Sequence, residues 1–218
     1  MKSITTTVML MTLLASGSVS AQTRVGISAG PAFANITAKS EGISVSSPKL
    51  KVGFTAGLFV DALLSSNFSF QPALNFVQKG AMWKDGSAKD KLNLNYIEMP
   101  LNFVYNTTQH DGFFVGGGPS LGIGISGREK YTDKDFPEDN SNDKITFGSD
   151  EDDIKRADFG VNFLAGYKLS GGITVAANYN LGLSNIANKS DDPENDGTIK
   201  NRYFSIKIGY AFGGRKHK

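Results

Sequence analysis

The chain has 218 residues, with 23 Lys and Arg against 21 Asp and Glu for a net charge of +2, and it contains 15 Phe, 7 Tyr, two His and no Cys. The missing Cys excludes a disulfide scaffold, a thiolate metal site and a cysteine nucleophile, and two His leave little for zinc or acid–base chemistry. The near-neutral charge does not suit a nucleic-acid binder, which needs a concentrated basic face, and a mean hydropathy of −0.22 does not suit a helical membrane protein. The unusual entry in the composition is glycine: 25 of 218 residues, about 11% where about 7% is ordinary. Glycine with abundant aromatics points to an all-β chain.

Residues 1–21 have the three-part layout of a secretory signal: the positive charge of Lys2, an apolar stretch from Ile4 to Ala15, and the small-residue site Val19-Ser20-Ala21. The stretch is too short for a spanning helix, which takes about 20 residues. No Cys follows to carry a lipid anchor. The fold is therefore expected over 22–212, and residues 213–218 form a basic tail.

From there the sequence repeats with a period of two, the signature of strands with unlike faces. Four segments are irregular, at about 23–33, 49–61, 67–83 and 91–105. Four are clean. In the first of these, Val115, Pro119, Leu121, Ile123 and Ile125 oppose Gly116, Gly118, Ser120, Gly122, Gly124 and Ser126. Next, Phe159, Val161, Phe163, Ala165, Tyr167 and Leu169 oppose Asp158, Gly160, Asn162, Leu164, Gly166 and Lys168. Ile173, Val175, Ala177, Tyr179, Leu181 and Leu183 then oppose Thr174, Ala176, Asn178, Asn180, Gly182 and Ser184. Finally, Phe204, Ile206, Ile208, Tyr210 and Phe212 oppose Tyr203, Ser205, Lys207 and Gly209. Short connections near 63–67, 107–112 and 170–172 alternate with long polar ones near 34–48, 84–90, 127–156 and 187–199. Eight strands joined in this way predict an antiparallel up-and-down barrel, whose closure removes exposed sheet edges.

Two such barrels differ by inversion: a soluble, lipid-binding barrel turns its apolar face inward, and a transmembrane barrel turns it to lipid. The polar face here is mostly Gly, Ser, Thr and Asn rather than Lys and Glu, with charges near strand ends at Lys51, Asp61, Lys79, Asp158, Lys168 and Arg202. Aromatics bunch at the two rims: Phe68, Phe70, Tyr105, Phe113, Tyr167, Tyr210 and Phe212 at the short turns, Phe33, Phe76 and Trp83 at the other end. Both features favour the transmembrane barrel, surrounded by outer-membrane lipid.

The run Asn95-Tyr96-Ile97-Glu98-Met99-Pro100-Leu101 resembles the YIEIPL strand of the outer-membrane β-barrel domain widespread in Bacteroidetes, whose members include porin-family and PorT-like proteins. The matching pieces continue with Gly117 to Gly122, Asp158-Phe159-Gly160, Ala165-Gly166-Tyr167, Tyr179 to Ile186, and Asn201-Arg202 leading to Gly209-Tyr210-Ala211-Phe212. The resemblance covers essentially the mature chain. It implies a bacterial outer membrane, termini in the periplasm and four long loops outside. It leaves activity open, because the family is functionally mixed. The tail after Phe212 departs from the family, whose members usually end on the final aromatic residue.

Gly122-Ile-Gly124-Ile-Ser-Gly127 matches a dinucleotide fingerprint, but no helix is expected after it to hold a pyrophosphate; its glycines read as residues facing a crowded lumen, and no cofactor is expected. Residues 127–156 carry ten acids against six bases, a net charge of −4. Asp150, Glu151, Asp152 and Asp153, with Asp191, Asp192, Glu194 and Asp196 in the next loop, form an acidic outer surface for other envelope proteins or for Ca2+, a hard cation that takes carboxylate oxygens. Glu98 lies mid-strand on the polar face and needs a lumen partner; Lys207, Gln71, Asn75 and Asn102 are the candidates. His110 falls in a turn and His217 in the tail, where neither serves a hydrolase, so the chain is not expected to be an enzyme. Structural or interaction barrel and narrow porin-like channel for small solutes or ions remain the two readings.

Overall fold

The computed structural model describes residues 23–40, 43–44, 49–108, 111–150, 153–188 and 197–212. The expected signal peptide and basic tail, His110, His217, Glu151, Asp152, Asp191, Asp192, Glu194 and Asp196 lie outside these residues. Among the described residues there are ten strands: β1 (Arg24–Ser40), β2 (Ile43–Ser44), β3 (Lys51–Leu63), β4 (Phe68–Asp85), β5 (Ala88–Asn106), β6 (Gly112–Asp133), β7 (Ser141–Ile145), β8 (Ala157–Lys168), β9 (Ile173–Gly182) and β10 (Gly197–Phe212). Eight of them close a ring in the order β1-β3-β4-β5-β6-β8-β9-β10, with β10 paired antiparallel back onto β1 from Val25↔Phe212 to Ser40↔Gly197. The two short strands β2 and β7 hang on β1 and β6.

The side chains settle which way the barrel faces. Val25, Ile27, Phe54, Leu58, Phe103, Val115, Phe163, Ile206 and Ile208 are all exposed, Ile208 at 65%. Their strand neighbours Thr55, Asn75, Glu98, Asn102, Ser120, Asn162, Asn180 and Ser205 are buried inside. This is the inverse of a soluble carrier and the pattern of a barrel whose solvent is hydrocarbon. Aromatic pairs mark both rims of the apolar belt. Phe68–Tyr105, Phe113–Tyr167 and Tyr210–Phe212 lie at the turn end, with ring centroids 5.3, 4.8 and 5.2 Å apart; Phe54–Phe76 and Phe33–Phe204 lie at the loop end, 5.3 and 6.4 Å apart.

The strands run farther than the alternation reveals. β1 continues to Ser40, and the expected loop at 84–90 is instead a tight hairpin with Asp85 paired to Ala88 around Gly86, whose φ of 53° suits glycine. β4, β5 and β6 continue well beyond the apolar belt, and with β7 they form a projecting sheet. Both of its faces leave the hydrocarbon, so the apolar alternation that marks a lipid-spanning strand fades there. Trp83 belongs to this projection rather than to the loop-end girdle. A bulge in β6 pairs Tyr96 with Gly124 but Asn95 with Ser126; the extra residue turns Ser126 outward, where Asn95 Nδ2 donates to its hydroxyl at 2.9 Å. Ser126 thus leaves the lumen face that simple alternation assigns it.

Ile208 sits midway between the two rims on β10. Replacing it with Lys is expected to destabilise the folded barrel in lipid by about 2–4 kcal/mol, whereas Arg202→Lys, above the belt, leaves stability unchanged; urea titration of the reconstituted barrel measures both.

Candidate functional site

Eight strands enclose a lumen just wide enough for side chains to fill, so the inward residues constitute the candidate site. At its centre Lys79 Nζ lies 2.6 Å from Glu98 Oε2 and 3.0 Å from Asp158 Oδ2. Strands β4, β5 and β8 supply the three groups. Tyr203 on β10 donates its hydroxyl to Glu98 Oε1 at 2.6 Å, and Asn201 Nδ2 donates to Asp158 Oδ2 at 3.0 Å. Lys79 Nζ also lies over the rings of Tyr96 and Tyr203, 4.9 and 5.5 Å from their centroids. Lys51 closes the layer by donating to the Lys79 carbonyl at 2.9 Å. A charge held in so small a space is tolerable only because each carboxylate meets a cation and further donors.

Toward the loop end the lumen turns apolar. Phe147, from the segment between β7 and β8, and Ile186, from the β9–β10 connection, are buried against Leu94, Tyr96, Val77, Ala32, Ala34 and Tyr203. The ring of Phe147 meets Tyr96 edge-on at 5.7 Å. The fingerprint glycines make the room: a Cβ on Gly124 would collide with the Phe147 ring, and one on Gly127 would come within 2.8 Å of Ile145. The cap is held by backbone pairing of Phe147 with Ile154 and of Ile154 with Ala187, and by Lys155 N–H donating to the Ile186 carbonyl at 2.8 Å.

Toward the turn end lies a chamber of about 40 Å³ lined by polar side chains, Gln71, Asn102, Asn178 and Lys207, and by apolar ones such as Phe59, Phe114 and Leu164, room for a few water molecules and no larger solute. Asn162 Nδ2 donates to Asn102 and Asn180 Nδ2 to Ser120, at 2.9 and 2.7 Å. Below it Arg24 and Lys168 both reach Asp61 Oδ2 at 2.9 Å. Described side chains thus cross the lumen at three levels: an apolar cap, a charged layer and, at the turn end, the Arg24–Asp61–Lys168 cluster.

The expected partners of Glu98 divide accordingly. Gln71, Asn102 and Lys207 line the chamber below it, and none of them makes a hydrogen bond to Glu98; Lys207 acts on it only through its charge. Asn75, its cross-strand neighbour, is buried with Oδ1 unbonded. The groups that do hold Glu98 are Lys79 and Tyr203. Lys79 reads as a strand-end charge only if β4 stops near residue 83, whereas the strand runs on to Asp85; Tyr203 was already legible as lumen-facing from the alternation of β10. Asp150 and Asp153 are brought beside the β9–β10 connection by Asn188 Nδ2, which donates to their carbonyls at 2.7 and 3.1 Å. Among the described residues no three acidic or His side chains gather around a point that could hold a metal ion.

Outside the lipid, the inner face of the projecting sheet gathers Asp90, Glu129 and Asp143. Partial burial, the Asp90 carboxylate and its hydrogen bond, and the Asp143 charge together raise the Glu129 carboxyl above its ordinary range.

With this geometry in view, the comparisons place the fold. The outer membrane protein beta-barrel domain matches residues 17–188. The chain belongs to that family. It is an outer-membrane β-barrel protein. Solved structures similar in fold include Ail of Yersinia pestis (15% identity, 88% of this chain and 99% of that one, TM-score 0.44), neisserial surface protein A (13%, 88% and 98%, 0.45) and OprG of Pseudomonas aeruginosa (14%, 88% and 96%, 0.41). Among curated proteins no match is found.

Two outcomes follow for the outer-membrane barrel. Lys79→Met strands two buried carboxylates and is expected to cost about 3–5 kcal/mol; adding Glu98→Gln and Asp158→Asn recovers part of that loss in the same unfolding titration. For Glu129, the raised folded pKa means the folded state holds the proton more tightly, so stability is lost as pH rises above about 4.5. Trp83 is the only tryptophan and reports this sheet: its fluorescence melt should fall as pH rises above about 4.5, and Glu129→Gln should flatten that fall.

Proposed function

We propose that this outer-membrane protein is a closed, lipid-anchored barrel with a structural or interaction role, presenting its long loops and projecting sheet at the cell surface while its termini lie in the periplasm. The observation that carries the reading is that side chains cross the lumen at three levels, the Phe147–Ile186 cap, the Lys79–Glu98–Asp158 layer and the Arg24–Asp61–Lys168 cluster. A plugged lumen leaves the barrel wall to serve as an anchor. The signal-like residues 1–21 support export, and the alternation of short turns with long loops supports this orientation. The resemblance of Tyr96–Leu101 and its companion motifs to PorT-like proteins of Bacteroidetes supports one specific version, a component of secretion machinery contacting other envelope proteins. In this reading the acidic residues of 150–153 and 191–196 are the candidates for contact with envelope partners or Ca2+.

The alternative is a narrow channel for small solutes or ions, in which the charged layer parts. Planar-bilayer recording separates the two. The closed barrel predicts no reproducible conductance from the wild-type protein, and discrete openings appearing only when the cap and layer are broken together, as in Phe147→Ala with Lys79→Ala. Steady wild-type conductance would establish the channel instead.

A further inference from the structure

The projecting sheet sorts its charges completely by face. Strand register places Lys84, Lys89, Lys91, Arg128, Lys130 and Lys144 on the side pointing away from the barrel axis, together with only uncharged neighbours such as Asn93, Asn95, Thr132 and Asn142. Asp90, Glu129, Asp133 and Asp143 lie on the opposite side. Three pairs of cations stand directly across from one another: Lys84↔Lys89, Lys91↔Lys130 and Arg128↔Lys144. Like charges in that position oppose sheet formation. Among the described residues none of the six makes an ion pair. Among the described residues this cationic face is thus uncompensated.

That face is continuous with the lipid-facing wall. Along β6 the outward residues read Leu121, Ile123 and Ile125, then Ser126, Arg128 and Lys130; along β5 they read Met99 and Ile97, then Asn95, Asn93, Lys91 and Lys89. At about 3.3 Å per residue and a strand tilt of about 40°, the first cation stands roughly 8 Å above the last apolar side chain, at the outer limit of the headgroup layer. A second patch repeats the arrangement elsewhere on the circumference. Above the Phe33–Phe204 pair, Arg202 faces Asn35, Lys200 faces Thr37 and Lys39 faces Thr198, around an outer groove lined by Thr37, Lys39, Leu181, Lys200 and Arg202. The described turns at the other end, 64–67, 107–108, 111 and 169–172, contain no Lys or Arg.

We infer that these two outward patches bind the phosphate-bearing headgroups of the membrane leaflet at the loop end. A leaflet surrounds the barrel on every side, and the cations stand on two separate parts of its circumference. A single soluble partner would require only one patch. Apolar wall, aromatic rim and cations follow one another along the same strands, matching acyl chain, interface and phosphate. The inference deepens the anchoring role proposed above and fails separately from it: wild-type conductance would overturn the closed lumen and leave lipid retention untouched.

The test uses the full chain folded in a neutral detergent, with native mass spectrometry counting bound lipid after addition of a bisphosphorylated glycolipid of the lipid A type or of phosphatidylcholine. The wild-type protein should retain the phosphorylated lipid about ten-fold over phosphatidylcholine, and 0.5 M salt should abolish that preference. Lys89→Ser, Arg128→Ser, Lys130→Ser and Lys144→Ser combined should lower retention by about ten-fold or more, and Lys39→Ser, Lys200→Ser and Arg202→Ser should lower it further. Equal retention of the two lipids by the wild type, salt-independent retention, or undiminished retention by the combined variants overturns the inference. Loss of heparin binding by the variants with lipid retention intact also overturns it, assigning the face to a soluble polyanion.

Discussion

An eight-strand circumference is the constraint on which the rest of the molecule depends. It leaves room for no more than a few water molecules, so most inward positions are vacant, small or paired. Lys79 satisfies the hardest case. Its ammonium holds Glu98 and Asp158 from different strands at 2.6 and 3.0 Å, and so ties β4, β5 and β8 together across the lumen rather than along the sheet. Tyr203 and Asn201 add β10 to the same cluster. Hydrogen bonds between neighbouring strands make the wall; this charged layer fixes its cross-section. The glycines of β6 follow from the same constraint, since the aromatic cap seats only where Gly124 and Gly127 present no side chain.

Outside the hydrocarbon the constraint disappears, and the sequence changes its grammar. Strands β4 to β7 continue as a sheet with neither face in hydrocarbon, so apolar alternation gives way to alternation of sign. Acids turn toward the axis and bases turn away. The chain's charge of +2 conceals this separation, as does the net acidity of 127–156: that segment contributes Arg128, Lys130 and Lys144 to one face and Glu129, Asp133 and Asp143 to the other.

What could be read from the sequence was whatever the bilayer enforces. Val175 and Tyr179 facing out, Asn178 and Asn180 facing in, and the eight-strand meander all follow from a period of two under a strong solvent difference. Glu98 could be placed in the lumen for the same reason. Its partners could not be identified, because finding them needs the register between strands far apart in sequence and the true end of β4. Phe147 was invisible for a different reason: a lone aromatic in a polar connection has no period, and only the closed barrel reveals the slot it fills. Ser126 shows the remaining failure, a single bulge that reverses every later face on one strand.

The account thus joins a tied lumen to a wall built for lipid and a projecting sheet whose charges are sorted by face. Its central claim is that the lumen is closed from the loop end. The absence of native Cys allows a direct measurement: a single cysteine placed at Ser205, on the lumen wall beneath the cap, and exposed to a small, charged, membrane-impermeant thiol reagent on the loop side of reconstituted vesicles. The closed lumen predicts no modification on the timescale that labels a cysteine at exposed Ser149 to completion. Comparable rates at the two positions would contradict it.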